Sequence, residues 1–132
     1  WSFHDGAARI SDGKYIYYIN NKGERFPGFY DDGEDFSEGL ALVKIDGMYG
    51  WINPSGSFEI QPEYANAQAF SEGLAAVFVN GKWGFINKDN EFVINPVYDF
   101  ARSFRNGAAE VWKDDEYYLI SKGERVIWRY DL

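Results

Sequence analysis

Chemistry in this chain would have to start from one histidine, 21 acidic side chains and a large store of aromatics, because cysteine is absent. His4 cannot by itself build a histidine metal cluster. A nucleophilic triad built on it would hang on a position close to a terminus, where order fails most often, so it reads as a plain surface histidine. Among the acids, Glu110 in a strand and Asp99 after Tyr98 are the least loop-like. A two-carboxylate hydrolase needs a fixed separation across a cleft, and it ranks as the third reading of function. The densest acidic run, Asp31, Asp32, Glu34, Asp35 and Glu38, does not match the spacing of an EF-hand loop and reads as a solvated acidic loop. Glycines recur at turn positions and not ahead of a helix, so no phosphate cradle is present. The expectation is a non-enzyme with no cofactor and no bound metal.

The elements that must position these side chains repeat. Phe36-Ser-Glu-Gly39, Phe70-Ser-Glu-Gly73 and Phe104-Arg-Asn-Gly107 start at a constant step of 34 residues, and Phe3-His-Asp-Gly6 precedes them by 33. The repeats therefore run 3–35, 36–69, 70–103 and 104–132 within one domain, 1–132. A period of this size marks units that bury their apolar faces against their neighbours. After each glycine comes a strand (Ala7 to Ser11, Leu40 to Ile45, Leu74 to Val79, Ala108 to Lys113). Period-two alternation puts Val43, Val77 and Val111 on a core face, and Leu42, Ala76 and Glu110 on a half-exposed one. Asp12-Gly13, Asp46-Gly47 and Asn80-Gly81 supply tight hairpin turns, replaced by Asp114-Asp115 in the last copy. A returning aromatic strand follows, and then a third strand that ends at Gln61-Pro62 or Asn95-Pro96, since proline cannot donate to a ladder. The linkers 64–70 and 98–104 have room for one helical turn.

This gives an all-β fold of four three-stranded antiparallel meanders, stacked as a solenoid, with a closed ring or barrel as the alternative. Gly50 and Gly84 sit inside strands at a cost of about 0.5–1 kcal/mol relative to alanine. The end copies have Tyr17 and Tyr118 there. A neighbouring repeat pressing on the backbone of the middle copies would account for the difference.

Aromatic positions that recur read as core: Trp51 and Phe85 share one position, and Tyr49 and Trp83 another. Positions that vary among copies are better candidates for binding. Phe78 and Trp112, aligned with Lys44 and Ser11, form a candidate exposed patch, with Trp128 as an addition. Large aromatics of this kind anchor protein partners or stack on sugars.

Phe70-Ser-Glu-Gly73-Leu74-Ala75, Gly81-Lys82-Trp83-Gly84-Phe85-Ile86-Asn87 and Pro96-Val97-Tyr98-Asp99 resemble the bacterial WG-repeat family, named for a Trp-Gly pair in a unit of this length. Phe36-Ser-Glu-Gly39 and Gly47-Met48-Tyr49-Gly50-Trp51-Ile52-Asn53 follow the same pattern. The resemblance implies an all-β module, often part of larger bacterial proteins, with no established enzymatic chemistry. It also makes Gly39, Gly73, Gly107, Gly50, Gly84, Trp51, Trp83 and Phe85 structural repeat positions.

The totals narrow the partners. A net charge of −8 lacks the basic surface that a phosphate backbone requires, so nucleic acid is excluded. The longest apolar run, Leu74 to Val79, is too short to span a bilayer. The absence of cysteine fits a cytosolic protein and also a bacterial exported one held by packing alone. The chain begins at Trp1 instead of Met, which reads as a fragment. The leading reading is a protein-interaction or scaffold module; the runner-up is a glycan-binding module of the cell envelope.

Overall fold

Each Phe-x-x-Gly box closes a hairpin. Around Glu38 and Gly39, Ser37 and Leu40 exchange backbone hydrogen bonds of 2.9 and 3.2 Å. Both turn residues have positive φ, 56° and 81°. Two successive left-handed residues make a turn that follows the twist of paired strands, and glycine occupies the second at no steric cost. Glu72-Gly73 and Asn106-Gly107 repeat the geometry. A hairpin needs a strand on both sides, so a short strand precedes each of these phenylalanines.

The computed structural model describes residues 3–131, with side chains from 5 to 129. The first sheet is β1 (Phe3–His4), β2 (Ala7–Ser11) and β3 (Ile16–Asn20), and bridges Ile19 to Arg25 and Ile16 to Tyr30 stand in for a fourth strand. The second is β4 (Asp32–Gly33), β5 (Ala41–Ile45), β6 (Met48–Ile52) and β7 (Phe58–Tyr64). The third is β8 (Asn66–Ala67), β9 (Ala75–Val79), β10 (Lys82–Ile86) and β11 (Phe92–Tyr98). The fourth is β12 (Phe100–Ala101), β13 (Ala108–Lys113), β14 (Glu116–Ser121) and β15 (Val126–Asp131). Every neighbouring pair is antiparallel, none of the sheets closes, and no helix occurs among the described residues.

The all-β expectation holds, with corrections. Three of the sheets have four strands instead of three, because the acidic linker holds β4 and the linkers 64–70 and 98–104 hold β8 and β12 in place of a helical turn. The third strand of each middle copy does not stop at proline: β7 and β11 run past Pro62 and Pro96 to Tyr64 and Tyr98. The first hairpin is wider than Asp12-Gly13 implies. Its strands pair from Ser11 to Ile16, and the Asp12 carboxylate accepts the backbone N–H of Lys14 and of Tyr15 to close the loop.

The chain packs as two compact units, 1–64 and 65–132. In the first, Ala7, Tyr18, Phe26, Tyr30 and Phe36 meet Ala41, Val43 and Ile52. In the second, Leu74, Ala76, Phe85, Ile94 and Tyr98 meet Phe104, Ala109, Val111 and Ile120. Val43, Val77 and Val111 are each 0% exposed, as alternation requires. The opposite face departs from expectation at Leu42 and Ala76, which are buried alongside the expected core residues Trp51 and Phe85, so both faces of the middle sheets are dry. Burying Phe36, Phe70 and Phe104 contributes roughly 1.5–3 kcal/mol each.

Gly50 and Gly84 are explained inside their own sheets, not by a neighbouring repeat. Between the pairs Trp83–Tyr98 and Phe85–Ile94, β10 advances two residues while β11 advances four, so Asn95-Pro96-Val97 bulges opposite Gly84. A Cβ on Gly84 would lie 2.6 Å from the Ile94 carbonyl oxygen and 2.7 Å from the Pro96 nitrogen. Gly50 meets Ile60 and Pro62 at the same distances. Proline belongs in the bulge because no ladder bond is needed there. Tyr118 replaces the glycine because β15 keeps regular pairing from Tyr117–Tyr130 to Leu119–Trp128.

Gly84→Ala is therefore expected to destabilise by roughly 1–3 kcal/mol, as overpacking does, read as a fall in the urea midpoint. Gly123→Ala, which would meet only the Ser121 hydroxyl at 3.9 Å, should stay within about 0.5 kcal/mol. Equal effects would contradict the bulge account. Burial also shapes the alkaline limit. Desolvation, reinforced by Glu63 and Glu124 respectively, pushes the Tyr64 and Tyr98 phenols up to about 12 from a usual value of 10.0. A raised folded-state pKa gives stability that is complete below pH 10 and lost as pH rises toward 12. Urea midpoints should fall across that window, and less steeply in Tyr98→Phe.

Candidate functional site

The fourth sheet holds Trp112 and Trp128, and the third holds Phe78. The β12–β13 pairing sets Phe100 beside Trp112, and the β13–β14 hairpin sets Trp112 beside Tyr117. Their rings stand 5.5 and 5.1 Å apart, and Trp128 follows 5.6 Å beyond Tyr117. In the other direction Phe100 meets Trp83 at 5.6 Å, and Trp83 meets Phe78 at 5.5 Å. Phe78, Trp83, Phe100, Trp112, Tyr117 and Trp128 thus form one ladder of six rings in tilted or edge-to-face contact, the arrangement that ring quadrupoles favour.

The ladder emerges at the outer face of the fourth sheet. Positions there correspond, at the 34-residue step, to positions of the third sheet that the fourth covers: Glu110 to Ala76, Leu119 to Phe85, Trp128 to Ile94. Ala76, Phe85 and Ile94 are each 0% exposed, whereas Trp128 is 51% exposed and Phe100 40%. Trp112, Tyr117, Leu119 and Glu110 are half-buried. A large apolar surface that remains exposed and is rimmed by polar groups is how a docking surface differs from scattered surface hydrophobics.

Polar groups border the rings. Arg102 lies over the Trp112 ring at 5.6 Å and pairs with Glu110 at 3.6 Å. Burial raises the Tyr117 phenol, helped by Glu110. A cleft of about 640 Å³ opens beside this face, its lining including Phe100, Arg102, Arg105, Glu110 and Leu119 together with Gln68 and Ser71. Gln68 Nε2 donates to the Ala101 carbonyl at 2.8 Å, and Ser71 Oγ to the Phe104 carbonyl at 2.7 Å, fastening the third sheet to the fourth. On the opposite face Glu116 accepts from Tyr118 at 2.6 Å and from Arg129 at 3.1 Å. The Tyr118 hydrogen bond is the chief cause holding its carboxyl below the usual range.

The other sequence candidates are placed elsewhere. Gly39, Gly73 and Gly107 close the box hairpins, and Trp51 and Phe85 are core. Trp83 is buried and also a rung of the ladder. The His4 side chain lies outside the described residues. The acidic run is used locally: Asp31 accepts the Asp46 N–H, Asp32 the Gly33 N–H, and Asp35 pairs with Arg9 at 3.5 Å. Among the described residues no group of three or more His, Cys, Asp or Glu could hold a metal ion. Asp99 is hydrogen-bonded to Lys82 and accepts the Asp114 N–H, while Glu110 faces Arg102, so the two carboxylates have separate partners.

Sequence reading missed Phe100, Tyr117, Arg102 and Arg105. Phe100 was hidden because β12 looked like linker. Tyr117 shares a repeat position with the core residue Trp83, which hides its exposure. The tight Asp114-Asp115 turn carried a usable signal, since it fixes Trp112 opposite Tyr117. Arg102 and Arg105 stand where the preceding copy has Gln68 and Ser71, a change in type that the step of 34 exposes.

Comparison with known proteins agrees with the geometry. The chain resembles Hsv2 from Kluyveromyces marxianus, with a TM-score of 0.60 at 13% identity, covering 97% of this chain and 52% of that one. Hsv2 from Kluyveromyces lactis gives 0.53 at 11% identity, covering 95% and 50%. The chain thus spans about half the length of these structures, and at such identity the likeness is one of fold, β-propeller-like in Hsv2. No curated protein matches the chain. The model of the WG containing repeat matches three consecutive segments, 27–49, 49–83 and 83–117, which together take in well over half of the residues. The chain belongs to the family of WG-containing repeats.

Proposed function

We propose that the protein is a non-enzymatic docking module and that a protein partner binds the outer face of its fourth sheet. The observation that carries this reading is the six-ring ladder, which leaves Phe100 and Trp128 exposed on a face whose counterpart in the third sheet is dry. Aromatic anchors of this size supply most of the binding energy at protein interfaces, and the polar rim of Arg102 and Glu110 suits an interface that must also tolerate water.

The glycan reading is weaker on the same geometry. A sugar stacks on an open ring face, yet the guanidinium of Arg102 covers Trp112, and Phe78 is flanked by Trp83. The apolar surface left open on this face comes from Phe100, Leu119 and Trp128 together, a mixture of aliphatic and aromatic groups that suits protein side chains. Asp99 and Glu110 lend hydrolysis no support, since each is engaged by a different basic partner.

A display library of random linear peptides, panned on the protein, tests the proposal. Selected peptides should lose about tenfold or more in affinity with Trp128→Ala, at an unchanged melting temperature, and with Phe100→Ala, in protein that circular dichroism shows to be still folded, as truncated anchors do. A glycan array should stay blank. Peptides indifferent to both substitutions, or glycans that bind through Trp112, would contradict it.

A further inference from the structure

The third sheet shows what the cleft positions are built to do. At 68 and 71 stand donors, and both reach forward to backbone carbonyls of the following sheet, Ala101 and Phe104. One step of 34 later the same two positions hold Arg102 and Arg105, both lining the cleft of about 640 Å³. In the fourth sheet the donors have been exchanged for longer, permanently charged ones. Arg102 is spoken for only in part, by Glu110 at 3.6 Å with its side chain 64% exposed. The Arg105 guanidinium makes no ion pair among the described residues. Phe100 and Leu119 supply an apolar wall beside them.

Resting on the docking reading above, we propose that this cleft takes an acidic peptide segment. An Asp or Glu carboxylate of the partner accepts from Arg105 and Arg102, and a neighbouring apolar side chain sits against Phe100 and Leu119. The fork of a guanidinium matches a carboxylate in two parallel hydrogen bonds, stronger than neutral ones. The two arginines form a local cationic spot on a chain of net charge −8. Repulsion from the remaining acids is screened beyond about 10 Å at ordinary ionic strength, so the near arginines decide. Glu110 restricts how many carboxylates the cleft accepts, favouring one acid flanked by apolar residues over a polyacidic run.

The same display library provides the test. Selected sequences should be enriched in a single Asp or Glu next to Leu, Ile or Phe. For one synthesised peptide, Arg105→Gln and Asp→Asn in the peptide should each weaken binding about tenfold, and combining them should cost little more than either alone. The solvent position of Arg105 leaves folding intact, which circular dichroism would verify. Peptides without acidic enrichment that bind Arg105→Gln and Arg102→Gln as tightly as wild type, yet are lost in Trp128→Ala, would overturn the cleft and leave the docking face standing. Failure to select any peptide would remove both. Binding of polygalacturonate through Arg105, with no peptide selected, would assign the carboxylate to a sugar and overturn the proposal.

Discussion

A sheet of four short strands that is apolar on both faces cannot keep itself dry, and this constraint organises the molecule. Within each unit the remedy is the same. The phenylalanine of one copy's box packs against the aromatic strand of the preceding copy, as Phe36 does on Tyr18 at 5.4 Å and Phe104 on Phe85 at 4.9 Å. Polar staples follow the same step, from Asp5 to the Gly39 N–H and from Glu72 to the Gly107 N–H. Each copy therefore helps to bury the aromatic strand of its neighbour, the behaviour of repeat proteins generally.

The binding face follows from that rule. A surface that is core in the third sheet is half open in the fourth, and its residues change accordingly. Ala76 gives way to Glu110, and Phe85 to Leu119, while the ladder of rings carries on from one sheet to the next. Had the surface been meant only for water, polar residues throughout would have served. Instead Trp112, Tyr117 and Trp128 stand there with Arg102 and Glu110 set among them.

Much of this was legible in the sequence. The step of 34 located the hairpins, and alternation placed Val43, Val77 and Val111 inside. Comparing copies singled out Phe78, Trp112 and Trp128 because those positions vary. What escaped reading did so for physical reasons. Two-residue strands such as β12 carry too few side chains to show a period, so Phe100 lay hidden. The bulges opposite Gly50 and Gly84 are pairings between distant residues, and a proline that ends one ladder contact looks like one that ends a strand. The second dry face of the middle sheets depends on what covers it, which alternation alone does not report.

The absence of native cysteine makes the central claim directly measurable. Ala76→Cys and Glu110→Cys place single thiols at matching positions of the third and fourth sheets, and their rates of maleimide labelling compare the two faces. The account predicts rapid labelling at 110 and protection at 76 until the protein is unfolded. Equal rates at the two positions would mean that the third sheet's face is not covered by the fourth, and the docking face would lose its physical basis.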